Sequence, residues 1–520
     1  MTASGRHVRQ ISGEAVPAPA DQEASGPAAT GPTPARPAEK GAAFRALPHG
    51  RGRTVAVIGV GYVGLPTAAT LAHMGHRVTC GDVDASKIEL LQQGHISIVE
   101  EHLEELVQEG QAAGRLTFVT GATAAVADAE FVFLCVPTPQ GDDGSADLSY
   151  VESVAAEIAP HLASGSIIVN KSTVPVGSTM VVERVLGRND VEVVSNPEFL
   201  REGTAVADSL HPERIVVGAA DQAAAARVGE LFSGTHAPLL ITDAATAETI
   251  KYASNAFLAT KLSFVNAVAG LCEAVGADVR DVILGLGYDK RIGFEYLRPG
   301  PGWGGSCLPK DTRALVHIAE QAGYDFSFLQ GAIRTNSEQF LRVVGKVEDA
   351  VGGSLDGVVI AVWGLTFKAG TDDLRNSPAM EIVRRLLRGG ARVQAYDPTI
   401  TVPLGEASTP VVELDGADDF DGDRLGGSSD GLGGSGGLGS SSDGLGGSGD
   451  VEVRAFPDAY TACDGAAAVV VLTEWDEFRW LDFEKVRDAT ASATVVDARN
   501  LLDPAQLRRI GFEYTGIGRR

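Results

Sequence analysis

TVAVIGVGYVGLPTAATLAHMGHRVTCGDVD, Thr54–Asp84, decides the fold. Thr54–Ile58 is a short apolar run, the pattern of a strand buried on both faces. A glycine turn follows, then a helical stretch to about Met74, then a second strand at Arg77–Cys80. Strand, glycine turn, helix and strand make a βαβ unit, which implies a parallel sheet. Gly59-Val60-Gly61-Tyr62-Val63-Gly64 stands at the strand–helix junction, where a dinucleotide fingerprint belongs. Its first glycine permits the tight turn, its second lets a pyrophosphate approach the backbone, and its third lets helix and strand pack closely. Asp82 ends the second strand 18 residues after Gly64. A carboxylate there accepts hydrogen bonds from ribose hydroxyls and repels a 2′-phosphate, which favours NAD over NADP. The fingerprint by itself also admits a flavin.

Working outward, AEFVFLCVP and GSIIVN extend the sheet. AETIKYASNAFLATKLSFVNAVAGLCEAVG lacks proline and is apolar around most of its circumference from Ala253 to Val275. Such a helix is buried on several sides, and it reads as a long central helix that also packs against a second subunit. From Leu355 the pattern restarts: GVVIAVWGL enters a glycine turn, Ser377-Pro378 caps a helix, and ARVQAYDP ends at Asp397. CDGAAAVVVLTEW then echoes ADAEFVFLCVPTP, and TVVDARN echoes SIIVNKS. The expected class is α/β, with two Rossmann-like doubly wound domains joined by a long central helix and a helical dimerisation region. The expected segments are a disordered Ala/Pro-rich tail at 1–50, a dinucleotide-binding domain at 51–244, a helical domain at 245–354 and a second Rossmann-like domain at 355–520. Residues about 404–450, where SSDGLGGSG occurs twice, read as a disordered acidic insertion. The repeat is too short and wrongly spaced for a calcium β-roll.

The net charge of −25 over 520 residues argues against a nucleic-acid or anionic-membrane partner. No uninterrupted apolar run of membrane-spanning length is evident, and the N-terminal arginines precede no apolar segment. Five scattered cysteines (Cys80, Cys135, Cys272, Cys307, Cys463) suit free thiols in a reducing cytoplasm. No metal site is expected, because Cys307 has neither a second cysteine nor a histidine close by. Cys307 stands in PGPGWGGSCLPKD, a glycine-rich loop with Lys310 and Asp311 just beyond it. Neighbouring cations there would favour the thiolate. Lys251 and Asn255, four apart on the central helix, share a face and could hold an oxygen gaining negative charge.

Ten motifs occur in order: GVGYVGLP, CVPTP, KSTVPVGS, NPEFLREG, HPERIVVG, KYASNAFLATK, GYDKRIG, GGSCLPKD, GLTFKAGTDDLRNSP and VDARN. In these the chain, from about Arg51 to Gly518 apart from the insertion, resembles the UDP-glucose/GDP-mannose dehydrogenase family. The resemblance implies that the C6 alcohol of a nucleotide sugar is oxidised twice with NAD to a carboxylate. An aldehyde has no second hydride to give until a nucleophile adds to it. A thiol supplies a thiohemiacetal, then a thioester that water releases. TEWDEF and DKRIG tilt the choice of sugar to UDP-glucose, with GDP-mannose as the alternative. A two-electron hydroxyacid dehydrogenase and a catalytically silent NAD-binding regulator are the less favoured readings.

The resemblance also implies roles. Cys307 is the nucleophile, Lys251 and Asn255 hold the C6 oxygen, Asp311 and Thr173 orient or deprotonate a water, and Glu198 assists hydrolysis. Cofactor contacts fall on Gly59, Val60, Gly61, Tyr62, Val63, Gly64, Asp82, Lys87, Thr138, Thr173, Glu202, Lys310 and Arg375. Glu202 is a nicotinamide-side contact, one turn beyond Glu198 if that piece is helical. Substrate contacts fall on Glu198, Phe199, Leu200, Arg201, Glu202, Lys251, Asn255, Tyr296, Leu297, Arg298, Pro299, Gly300, Gly304, Phe367 and Lys368. Arg291 reaches the substrate across the boundary of a homodimer or larger homo-oligomer. Trp303 stands where the family pattern has Phe, Tyr or Val, and Arg499 lies near a nucleotide-contact position.

Overall fold

The computed structural model describes residues 52–141, 146–403, 405–411 and 453–519. The expected tail at 1–50 and most of the expected insertion lie outside these residues. The first sheet contains β1 (Thr54–Ile58), β2 (Arg77–Asp82), β3 (Leu116–Thr120), β4 (Phe131–Leu134), β5 (Ile167–Asn170), β6 (Glu192–Ser195), β7 (Ile215–Gly218) and β8 (Leu239–Thr242). Their order is β3-β2-β1-β4-β5-β6-β7-β8. The pairing is parallel except where β7 meets β6 at Ser195 and Gly218. Every side chain of β4, β5 and β7 is buried, which is why these strands read as unbroken apolar runs instead of alternating ones.

The second sheet contains β9 (Val359–Trp363), β10 (Arg392–Tyr396), β11 (Thr409–Val411), β12 (Val453–Ala455), β13 (Ala468–Val471), β14 (Thr494–Asp497) and β15 (Glu513–Gly516). Their order is β11-β12-β10-β9-β13-β14-β15. Only β11 runs antiparallel, pairing with β12. This corrects the sequence reading, which placed Thr409–Val411 inside the disordered insertion. Its threonine and valine flank a proline, and proline is tolerated on an edge strand.

In each sheet the chain order reverses between two central strands, β1 and β4 in the first, β9 and β13 in the second. Ligands bind α/β sheets at the carboxyl ends of such a pair. The helix Ala244–Val275 connects the two halves, capped by Asp243, which accepts from Thr246 N, and ended by Gly276 at φ 75°. By length and composition it would reach across a membrane. In this fold its inner face carries Glu248, Lys251, Asn255 and Asn266, all buried, and it packs against the helices Leu308–Gln321 and Ser327–Ala350. The expectation of burial on several sides needs correcting. Phe257, Phe264, Leu271 and Val275, spaced by seven, seven and four, leave one stripe 56–68% exposed.

Candidate active site

The glycine turn after β1 begins with Gly59 at φ 93°, a conformation that disfavours any other residue. A Cβ on Gly64 would collide with the Gly59 carbonyl, so the third glycine is required by close packing. A Cβ on Gly61 would meet nothing within 4 Å. The middle glycine therefore faces open space at the N-terminus of the helix Gly64–His73, as a pyrophosphate approach requires. Asp82 Oδ2 accepts from Val60 N at 2.9 Å and Oδ1 from Asp84 N at 3.0 Å, while Lys87 Nζ stands 3.6 Å away. Thr138 Oγ1 donates to the Thr173 carbonyl at 2.8 Å and joins the loops after β4 and β5. Val63 starts the helix as its cap residue. These residues fit a dinucleotide.

The second half repeats the device with a different outcome. Asp397, just after β10, accepts from Leu365 N at 2.7 Å and Thr366 N at 3.1 Å, as Asp82 does from Val60. Asp397 is fully buried and also receives Thr366 Oγ1 and Trp475 Nε1. Its carboxylate is consumed within the protein and is not offered to a ribose.

The cysteine loop is pinned from below by polar groups of the long helices. Asn266 Oδ1 accepts from Gly300 N at 2.9 Å, and Gln339 Nε2 donates to the Gly300 carbonyl at 2.8 Å. Asn336 brackets Trp303, taking its N–H at 2.8 Å and giving to its carbonyl at 2.9 Å. The Trp303 ring is buried among Ala256, Ala259, Val316 and Leu329, with Nε1 donating to Ser263 Oγ at 2.8 Å. Its departure from the family pattern thus lies in the helical core. Gly304 and Gly305 press the loop onto the second half. A Cβ on Gly304 would strike the Asn376 carbonyl, and one on Gly305 would come within 2.9 Å of the Phe367 ring. Cys307 then caps the helix Leu308–Gln321, and its carbonyl accepts from Asp311 N at 2.9 Å.

Five predicted groups converge beside Cys307. Lys251 Nζ donates to Glu198 Oε1 at 2.6 Å, Asn255 Nδ2 to Asp311 Oδ2 at 2.6 Å, and Lys310 Nζ to Asp311 Oδ1 at 2.7 Å. Burial opposes the charge on Glu198, but Lys251, the Leu200 N–H and Lys171 hold its carboxyl below the usual range. Burial likewise opposes the charge on Lys251, yet Glu198, Cys307 and Asp311 carry it up to about 12. The thiol behaves otherwise than expected. Burial, Glu198 and Asp311 outweigh Lys251 and Lys310, and Cys307 is pushed up to about 11. The surrounding cations are already committed to carboxylates, so they do not by themselves produce a thiolate.

Glu198–Glu202 is irregular, and the next helix begins only at Ala205, so Glu202 is not one helical turn beyond Glu198. Glu202 instead accepts from Ser306 Oγ at 2.8 Å and lies 3.7 Å from Arg375 Nη2. Phe199 sits under Arg214, with 3.6 Å from guanidinium carbon to ring centroid. Leu200 N is held by Glu198 at 2.6 Å. Arg201 pairs with Asp208 and its charge reaches Tyr296, which is held at φ 59°. Leu297, Pro299 and Gly300 are buried on the way into the cysteine loop, whereas Arg298 is exposed. Lys368 lies over the Phe367 ring at 5.5 Å. Arg499 Nη2 donates to the Phe367 carbonyl at 3.0 Å. Arg291 is 89% exposed, bound to Asp289, and is not brought to this cluster.

Several supporting groups escaped the sequence reading. Asp372 accepts the hydroxyl of Tyr62 at 2.9 Å and so ties the glycine turn to the loop Phe367–Asn376. Glu100 is buried and accepts from Gly203 N at 2.7 Å. Lys171 donates to Asn196 at 3.0 Å, and burial lowers it to about 8. Ser306, Asn266, Asn336 and Gln339 complete the set. One signal was available: Asn255 and Asn266 are amides 11 residues apart in an apolar helix, hence on one face.

Comparison with known proteins agrees with this geometry. Models of the UDP-glucose/GDP-mannose dehydrogenase family match as the NAD binding domain at residues 53–236, the central domain at 245–338, and the UDP binding domain at 361–425 and 435–504. UDP-glucose 6-dehydrogenase TuaD of Bacillus subtilis is 40% identical, covering 90% of this chain and 93% of that protein. UDP-glucose 6-dehydrogenase of Pseudomonas aeruginosa is 40% identical, covering 89% and 97%. Among solved structures, a UDP-glucose dehydrogenase from Pyrobaculum islandicum superposes with a TM-score of 0.75 at 34% identity, covering 91% of this chain and 100% of that one. With its ordered motifs, two switch-point sheets and a central helix beneath a cysteine loop, the chain belongs to the UDP-glucose/GDP-mannose dehydrogenase family.

Proposed function

We propose that this protein oxidises the C6 alcohol of UDP-glucose to the carboxylate of UDP-glucuronate, using two NAD and a covalent stage on Cys307. The observation that carries the reading is the convergence of Cys307, Lys251, Asn255, Asp311 and Glu198 at the junction of the two Rossmann-like halves. Similarity to UDP-glucose 6-dehydrogenases over about nine-tenths of the chain supports the choice of sugar. NAD, when bound, accepts a hydride at each oxidation. Gly59–Gly64, Asp82, Lys87, Thr138, Thr173, Glu202, Lys310 and Arg375 are the residues assigned to hold it.

Lys251 carries its charge throughout the working pH range and, with Asn255, stabilises negative charge on the C6 oxygen. Cys307 adds to the aldehyde carbon and keeps it from escaping, and the resulting thioester is opened by a water. Asp311 and Thr173 orient that water, and Glu198 assists its attack. Asn255 and Lys310 occupy one oxygen each of Asp311 and fix its plane. The nucleotide sugar is assigned in this proposal to Glu198–Glu202, Tyr296–Gly300, Gly304, Phe367 and Lys368. The working segments are 51–244 for NAD, 245–354 for the central helical domain and 355–520 for the nucleotide sugar.

A homodimer completes the site in this proposal. The exposed stripe Phe257, Phe264, Leu271 and Val275 supports association along the central helix, and the outward Arg291, held by Asp289, is assigned to a partner's substrate. Five unpaired thiols support a reducing, cytoplasmic setting.

Absorbance at the NADH band combined with product analysis tests the reading. The expected yield is two NADH per UDP-glucose consumed, with no free aldehyde. A yield of one would refute the four-electron course, and activity with GDP-mannose alone would overturn the sugar.

A further inference from the structure

The charged groups facing Cys307 are Glu198, Lys251, Asp311 and Lys310, and their balance with burial leaves the thiol protonated at neutral pH. Such a nucleophile needs a base. Glu198 is bound to Lys251 at 2.6 Å, and Asp311 accepts from both Asn255 and Lys310. Among the described residues the sulfur has a hydrogen-bonding neighbour in Ser306, whose Oγ stands 3.6 Å from Cys307 Sγ. That same Oγ donates to Glu202 Oε1 at 2.8 Å. A serine hydroxyl has one proton and two lone pairs. Here the proton is given to Glu202, so a lone pair is what the oxygen turns toward the thiol.

We propose that Ser306 relays the Cys307 proton to Glu202, which makes Glu202 the base that readies the nucleophile in the reaction inferred above. As the C–S bond forms, the S–H proton passes to Ser306 Oγ, and the Ser306 proton passes to Glu202 Oε1. The carbonyl π electrons move onto the C6 oxygen. The products of the step are a thiohemiacetal oxyanion, near Lys251, and a neutral Glu202. No further reactant is required.

The surroundings of Glu202 suit the task. Burial and Asp373 raise it to about 7, against Ser306 and Arg375. Arg375 spends its Nε and Nη2 on Asp373, at 2.9 and 2.7 Å, and stays 3.7 Å from Glu202. Thr371 Oγ1 lies 3.5 Å away, and Lys368 and Tyr62 are the other titratable groups within its field. Glu202 is thus a partly buried carboxylate without a tight cation, facing the nucleophile through one hydroxyl.

The test needs no substrate. The full-length protein is labelled with iodoacetamide from about pH 5.5 to about pH 10 and read by intact mass, with Cys307→Ser identifying the site. Labelling of the unmodified protein should rise as Glu202 ionises near neutrality, before the thiol itself titrates. Glu202→Gln and Ser306→Ala should each remove the lower rise and slow labelling at neutral pH by on the order of tenfold or more. Ser306→Thr, which keeps the hydroxyl, should restore it. Profiles for Glu202→Gln and Ser306→Ala that overlay the unmodified protein would overturn the relay, as would Ser306→Thr behaving like Ser306→Ala. Should Ser306→Ala lose its circular dichroism, the Glu202→Gln profile decides. Failure here leaves the NADH stoichiometry untouched, whereas failure of the parent reading appears as one NADH per sugar.

Discussion

At the scale of single residues the site is a set of committed charges. Lys251 and Glu198 are both about 4% exposed, so neither can shed its charge into water. Lys251→Ala leaves Glu198 buried without its partner, which costs about 3–5 kcal/mol, and urea denaturation should show that loss. The same substitution removes the cation assigned to the C6 oxygen, and turnover should fall by roughly 10²-fold or more. The pair also has a pH signature. Glu198 is depressed below its ordinary 4.5, so its contribution is full above that value and is lost as pH falls through the lower, folded value. Lys251 is raised from 10.5 to about 12, so its contribution is full below 10.5 and is lost as pH rises through about 12. Denaturation midpoints should therefore be steady between these limits and drop on both sides, and Lys251→Met/Glu198→Leu should flatten the acid limb. Cys307→Ser should stop carboxylate formation, because an alkoxide at that position forms no thioester; sustained glucuronate output would refute the covalent stage.

At the scale of elements, the cysteine loop owes its shape to amides of the central helix and of Ser327–Ala350 that do not themselves react. Asn336 satisfies both the N–H and the carbonyl of Trp303 inside a closed core. Asn336→Ala orphans both groups, each at about 1–3 kcal/mol. It should lower the denaturation midpoint and also kcat, since Cys307 follows Trp303 by four residues. Gly304 acts through space. Its missing Cβ admits the Asn376 carbonyl, and Pro378 begins the next helix beside it. Gly304→Ala should separate the loop from the second half, with turnover lost while the circular dichroism of the first sheet's βα units persists.

At the scale of the whole molecule, one apolar stripe of the central helix is left uncovered, and its spacing is that of a helix–helix seam. Phe264→Asp with Leu271→Asp should shift sedimentation from dimer to monomer. If Arg291 serves the partner's substrate, the monomer and Arg291→Ala should share a raised KM for the nucleotide sugar. A monomer already present in the unmodified protein, with full activity, would refute the shared site. The helix–sheet connections matter at this scale too. Glu202 and the group Thr371, Asp373 and Arg375 come from opposite halves of the chain and meet beside Ser306, so the proposed proton path depends on how the two halves pack.

Local pattern was enough to read the strands β1, β4, β5, β9 and β13, because strands buried on both faces are apolar at nearly every position. It was enough, too, for the glycine turn and Asp82, whose spacing is dictated by a diphosphate lying on a helix terminus. Ordered motifs pointed to Cys307, Lys251, Asn255 and Asp311, since these proposed reacting groups fall in two short stretches, KYASN and GGSCLPKD. Edge strand β11 was lost among glycines and serines because it spans three residues, too few for a period. The state of the thiol was decided only by tertiary structure. Whether a cation lowers a pKa depends on what else it touches: Lys251 had already found Glu198, 53 residues away, and Lys310 its own neighbour Asp311. The Ser306–Glu202 contact was equally invisible, for it joins residues 104 apart that only the packing of two loops brings within reach of one proton.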